Sequence, residues 1–273
     1  ADRSSSARSA RYQRRFTRGF HMLHKTIKSL VAVVSTVALL STAHAEMPVL
    51  KVGATPSAVP FNFLDPQSNT LKGLMIDIAD AVGKEVGFTP EIMPIPFTSL
   101  VPALQTGKIQ IIASAFARTP ARAEVVDFSS IVVSYGEGLI VPAKDTTAYL
   151  SFADLNGKVI GVQVGTSYVE PITAVGGFKE VKLYDTMADM VRDIALGRLD
   201  AAFGDGPVVA YQVRQVGAKV RLVDTYKSVI ATDIALAVKK GDSETLAKLN
   251  AAIDKLRQDG TLRTILAKWA VAS

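Results

Sequence analysis

The sequence predicts an α/β fold with mainly parallel sheets, built as two similar lobes. Three observations carry this prediction. Strand-like and helix-like apolar patterns alternate from residue 49 almost to the end of the chain. The pattern restarts after Asp145. Residues 109–116 form a near-continuous apolar run of strand length, as in a sheet covered on both faces.

The elements follow in order. Residues 49–54 read as a short apolar strand. Leu74, Ile78, Ala81, Val82 and Val86 recur at helical spacing until Gly87. A strand is expected at 91–94, a helix at 99–106 ended by Gly107, and a strand at 109–116. Thr119-Pro120 then opens a helix, with Thr as N-cap and Pro in the first turn. After the restart come a strand at 158–164, a helix opened by Gly165-Thr166-Ser167 and a strand at 181–184. Met187, Met190, Val191 and Ile194 make the apolar face of a helix ending at Gly197. Strand 199–203, helix 207–216 and strands 220–223 and 234–238 follow. Asp242 or Ser243 caps a helix carrying Leu246, Leu249, Ile253 and Leu256 on one face, and 262–269 is the last helix.

Composition excludes several chemistries. There is no cysteine among the 273 residues, so no disulfide, thiolate metal site, cysteine nucleophile or cysteine-linked lipid. All three histidines (His21, His24, His44) precede residue 46, which leaves the body without His-based triads or zinc ligands of the N or S type. The net charge of +6 is equally local. Eight of the 31 Lys and Arg lie before Glu46, against one of the 25 Asp and Glu, so the body is close to neutral and lacks the basic excess of a nucleic-acid binder. Neither G-x-G-x-x-G nor G-x-x-x-x-G-K-[ST] occurs, and no cofactor or metal is expected.

Residues 22–45 read as a secretory signal peptide. Lys25 and Lys28 supply a positive start, 30–40 an apolar run too short to span a bilayer, and Ala43-His44-Ala45 the small residues before a cleavage site. Residues 1–21 are an Arg/Ser-rich upstream extension. Export through this segment points to a periplasmic location.

Three features of the body suggest a site. Arg122 stands in the first turn of the helix capped by Thr119, against the helix dipole, so it has either a ligand or an ion-pair partner such as Glu124 or Asp127. Asp205 lies in Gly204-Asp205-Gly206 just after a strand, where open α/β sheets place ligands; a plain turn residue is the alternative. Gly165-Thr166-Ser167 offers backbone N–H groups at a helix start, or an ordinary cap. A fixed cation, a fixed anion and helix N-termini near strand ends would together suit a small zwitterion.

These residues sit in a series of motifs, here with their positions: L-K-V-G at 50–53, P-F at 60–61, G-x-x-x-D-I-A at 73–79, L-x-P-A-L-x-x-G-K at 100–108, T-P-x-R-x-x-x-x-D-F-S at 119–129, G-K-x-x-G-V-Q-x-G-T at 157–166, G-R-x-D-A at 197–201, D-G-T at 259–261 and K-W at 268–269. Through them the body resembles the extracellular solute-binding protein family 3, the polar amino-acid receptors of ABC importers. The resemblance implies a two-lobed periplasmic-binding-protein-like fold, with lobe 1 at 46–136 plus 234–273 and lobe 2 at 137–233. It implies a monomer that closes on its ligand and delivers it to the membrane subunits of an ABC permease. Arg122 would grip the ligand α-carboxylate, assisted by Ala117, Thr166 and Ser167. Asp205 would hold the α-ammonium with help from Ser114, and Phe97 would line the side-chain pocket together with Thr55 and Gln163.

The sequence also departs from the family pattern. Ala58 stands where an aromatic is usual, Thr55 where basic-amino-acid receptors often carry an acid, Ala115 and Ala117 where hydroxyl residues are common, and Gln110 where an Asp is usual. A pocket without a second fixed charge disfavours charged side chains, so the ligand expected is a neutral amino acid or an analogue of similar size. Arg118 is the alternative second cation and Glu137 the alternative acid. Cyclohexadienyl dehydratases resemble the same family, and in that alternative reading Glu137 would serve as acid or base.

Overall fold

The computed structural model describes residues 47–271; the signal peptide expected at 22–45 and the extension at 1–21 lie outside the described residues. Among the described residues no helix is long and apolar enough to cross a membrane.

The first half opens with β1 (Val49–Ala54) and a small three-stranded antiparallel sheet, β2 (Ser57–Ala58), β3 (Asn62–Asp65) and β4 (Thr70–Lys72). Helix α1 (Leu74–Val86) follows, burying Leu74, Met75, Ile78, Ala79 and Val82 and ending at Gly87, whose φ of 87° is the left-handed cap glycine accepts without strain. Then come β5 (Thr89–Pro94), α2 (Leu100–Gln105), β6 (Ile111–Ile112), the single turn α3 (Pro120–Ala123) and the 17-residue strand β7 (Val126–Pro142). The second half runs β8 (Val159–Gln163), α4 (Val169–Val175), β9 (Glu180–Tyr184), α5 (Met187–Ala195), β10 (Ala201–Asp205), α6 (Gly206–Val216), β11 (Val220–Leu222), β12 (Ala231–Lys239), α7 (Ser243–Gln258) and α8 (Thr261–Lys268).

The main sheet has the order β5-β1-β6-β12-β7-β10-β8-β9, with β11 also on β7. Its two ends are parallel sets, β5-β1-β6 and β10-β8-β9. Between them β12 and β7 run antiparallel to their neighbours. The restart in the sequence is therefore a second parallel set, and β7 serves both. Its first part pairs with β12 from Val126↔Lys239 to Gly136↔Ala231; its second pairs with β10 from Glu137↔Asp205 to Ile140↔Ala202. Helices cover the sheet faces, which is why parallel strands read as continuous apolar runs.

Two expectations need correction. The strand expected at 109–116 is only Ile111–Ile112; beyond it the chain turns out of the sheet, with Phe116 N–H donating to the Ser114 carbonyl at 2.6 Å, before Ala117 bridges Ile234. The residues stay buried, so their apolar pattern reports burial in a loop rather than pairing. The long strand β7 and the hairpins β2–β4 were not expected. β7 changes partner midway and carries Ser134-Tyr135-Gly136-Glu137-Gly138 at the change, which breaks any single periodicity.

The glycines at this change of partner have a packing reason. A Cβ on Gly136 would stand 1.7 Å from Ser228 Oγ, and one on Gly138 2.3 Å from Val209 Cγ2. Both spacings are below any real contact, so α6 and the 228–230 segment can lie on β7 only where side chains are missing.

Candidate functional site

Arg122 is positioned by its local sequence. Pro120 starts α3, and the Thr119 hydroxyl accepts from Arg122 N–H at 3.2 Å, which fixes one helical turn. The guanidinium donates from Nη1 to the Ala117 carbonyl at 2.6 Å and from Nη2 to the Gly165 carbonyl at 2.8 Å. It stacks 4.1 Å from the Phe116 ring centroid and 5.5 Å from that of Phe97. The ion pairs considered for it do not form: Asp127 pairs with Lys240 instead. Burial pulls Arg122 down to about 10, with Asp205 opposing that shift, so it remains charged at neutral pH.

Asp205 ends β10 and precedes α6, but its side chain does not cap that helix. It accepts from the Tyr168 hydroxyl at 2.8 Å, and Tyr168 Oη lies 2.9 Å from Thr232 Oγ1. Burial pushes Asp205 up to about 6, while the Tyr168 hydroxyl bonded to it and the Arg122 charge pull it back. The Tyr135 hydroxyl is buried without a hydrogen-bond partner among the described residues, and desolvation beside Asp205 raises it well above an ordinary phenol.

One cavity is lined by Thr55, Ala58, Phe97, Ala115, Ala117, Arg122, Gln163, Thr166, Ser167, Tyr168 and Asp205. Eight of the nine residues expected at a site meet there. The ninth, Ser114, stands one step behind: its hydroxyl donates to Asn62 Oδ1 at 3.2 Å and accepts from Thr55 N–H at 3.4 Å, so it braces the first loop rather than lining the cavity. Gln163 is tied down by donating Nε2 to the Asp185 carbonyl at 2.9 Å, and Thr166 by donating to the Gln163 carbonyl at 2.7 Å. Thr166 and Ser167 lie in the turn before α4 rather than at its cap, which is Tyr168. A continuation of the cavity adds Ser57, Met187, Phe203, Gly204 and Val208, none of them charged.

The structure corrects the alternative acid. Glu137 is buried and its two oxygens accept from Tyr226 Oη (2.6 Å), Ser228 Oγ (2.7 Å), Val229 N–H (2.9 Å) and Ile230 N–H (2.9 Å). It lines neither part of the cavity. The residues missed from the sequence are Tyr168, Tyr135 and Thr232. Only Tyr168 left a trace, as the residue directly after Gly-Thr-Ser.

The fold is that of the two-lobed periplasmic binding proteins. The chain belongs to the bacterial extracellular solute-binding proteins, family 3, which it matches over residues 50–272. It is 30% identical over 223 residues to the ABC transporter arginine-binding protein 1 of Escherichia coli (strain K12), covering 81% of this chain and 90% of that protein. Among solved structures it is similar to an ancestral arginine-binding protein bound to arginine, at 33% identity and a TM-score of 0.75, with 82% and 99% of the two chains covered. The ancestral arginine-binding protein bound to glutamine is similar at 33% identity and a TM-score of 0.74, with 81% and 97% covered.

Proposed function

We propose that this chain is the periplasmic receptor of an ABC importer for an amino acid with a neutral side chain. In this reading 22–45 is removed on export and the mature chain starts at Glu46. Lobe 1 comprises 46–136 plus 234–273 and lobe 2 comprises 137–233. The ligand is held between them as the lobes close, and the closed form is what the membrane permease receives.

The observation that carries this reading is the charge inventory of the cavity. Its lining holds one cation, Arg122, and one anion, Asp205, and no other ionisable acid or base except the Tyr168 phenol. A guanidinium can take a carboxylate on two parallel N–H groups, and a buried carboxylate needs a cation to stay ionised. An α-amino acid supplies both. For Arg122 this means exchanging one or both carbonyl contacts for the ligand carboxylate. A cationic side chain would find no second acid, and an anionic one no second base, so both would be buried unpaired. The enzymatic alternative is weakened because the four donors on Glu137 leave its oxygens committed.

Calorimetry with L-glutamine, L-leucine, L-glutamate, L-lysine and L-arginine tests the reading on protein recovered from the periplasmic fraction, whose first residue should be Glu46. A neutral member should bind tightest, and Arg122→Ala should weaken it by 100-fold or more, since each charge-assisted bond is worth about 1.5–3 kcal/mol. Tightest binding of lysine or arginine would reject the neutral assignment. Unchanged binding by Arg122→Ala would reject the clamp.

A further inference from the structure

Asp205, Tyr168 and Thr232 form a chain that the clamp itself does not require. A carboxylate only accepts, and the Tyr168 hydroxyl has a single proton, given to Asp205 Oδ1 at 2.8 Å. At 2.9 Å the remaining hydroxyl, Thr232 Oγ1, must then donate to Tyr168. The direction Thr232 to Tyr168 to Asp205 is fixed by chemistry as long as Asp205 is ionised. Thr232 and Tyr168 are both buried.

The far end of this chain has a particular place in the fold. Thr232 lies on β12 directly opposite Tyr135 on β7, two residues before β7 takes up β10 at Glu137. Those two strands are the connections between the parallel sets. The carboxylate at the tip of β10 is thus wired, through one side chain, to the strands about which the two halves would move.

We propose that Tyr168 is the positioning residue of the ammonium site: its hydroxyl orients the Asp205 carboxylate and ties it to the crossing strand at Thr232, so that grip on the ligand and geometry of the crossing depend on one hydrogen-bond chain. This rests on reading Asp205 as the ammonium anchor. The chain is sensitive to protonation, because an Asp205 that carries a proton no longer needs Tyr168 as donor, and the order of the hydroxyls is released. The groups facing Asp205 are Arg122 from α3, Tyr135 from β7 and Tyr168 from the turn before α4; Glu137, on β7, acts on Tyr168 from farther off. Burial drives Asp205 up, and the Tyr168 hydrogen bond is the first influence pulling it down.

Carbon NMR of the Asp205 carboxyl across pH, on the whole chain, tests this without any added compound. The wild type should titrate near 6, and Tyr168→Phe should move the midpoint upward by roughly half a pH unit or more. Thr232→Val, which keeps both Tyr168 and Asp205, should move it in the same direction by less. In parallel, L-glutamine and L-leucine are titrated by calorimetry. The better binder should lose about tenfold in affinity at neutral pH in Tyr168→Phe, and its affinity should fall with acid at the shifted midpoint. An unchanged midpoint and unchanged affinity in Tyr168→Phe would overturn the proposal. Should Tyr168→Phe fail to fold, an unchanged midpoint in Thr232→Val would do the same. A shifted midpoint in a protein whose wild type binds no amino acid would instead overturn the ammonium-anchor reading, and with it the role of Tyr168 in ligand grip.

Discussion

Asp205 is a residue at which stability and binding are opposed. Its folded-state value of about 6 lies above the ordinary 3.8 because the buried carboxylate has lost water. Between those two values the folded chain binds more protons than the unfolded one, so stability falls as pH rises through the window and the full penalty stands above it. Asp205→Asn removes the penalty and the counter-charge together. Denaturant titration at pH 7 should show the variant more stable by up to about 3 kcal/mol. Calorimetry should show amino-acid affinity reduced by about 100-fold or more, from the lost charge-assisted bond. A variant that is less stable at pH 7, or that binds like wild type, would contradict this account. Arg122 has the same conflict with the opposite charge, and the Phe116 and Phe97 faces partly replace the water it has given up.

At the scale of elements, the change of partner in β7 is held by Glu137. Four donors from the 226–230 segment converge on it, two of them backbone N–H groups. That segment leads directly into β12, so Glu137 fixes one crossing against the other. Gly136 and Gly138 beside it admit the segment and α6 at distances a side chain would forbid. Glu137→Ala leaves all four donors to find other partners and should cost on the order of 3 kcal/mol or more by urea denaturation. Glu137→Gln keeps one acceptor oxygen and should lose less. A Glu137→Ala protein as stable as wild type would show that the brace contributes nothing. The same contacts explain why a conspicuous carboxylate near a crossing makes a poor acid or base: its lone pairs are already used.

At the scale of the molecule, the sheet strands of the described residues form two parallel sets with β7 and β12 between them, and the cavity draws its lining from both. Thr55, Ala58, Phe97 and Arg122 come from segments around the first set, Gln163, Thr166, Tyr168 and Asp205 from the second. Arg122 already reaches across, to the carbonyl of Gly165. A ligand that bridges the two sets favours their approach only by binding the closed form better than the open one. At 100 times its Kd, the tightest-binding amino acid of the calorimetric panel should therefore stabilise the protein by ≈ 2.7 kcal/mol, raising Tm by roughly 5–10 °C. Small-angle scattering should show a smaller radius of gyration at the same concentration. Stabilisation without compaction would mean that binding does not close the lobes.

The alternation of strands and helices, the restart that marks a second parallel set, and the Thr119-Pro120 cap that places Arg122 are all legible in residues close together along the chain. These are local matters: periodicity, capping and turn residues act within a few positions of one another. The order of motifs carried the family, and through it most of the cavity lining. Tertiary structure decided which side chains meet across long separations. Tyr168 finds Asp205 37 positions away and Thr232 64 away, and Glu137 finds its donors 89 to 93 positions away. No local pattern encodes such pairings, because they depend on the register of β7 against β12 and β10. The same dependence moved Ser114 behind the cavity wall and turned Glu137 from a candidate acid into a brace. A buried polar side chain looks alike in sequence whether it faces a ligand or a neighbour; only the packing around it decides which.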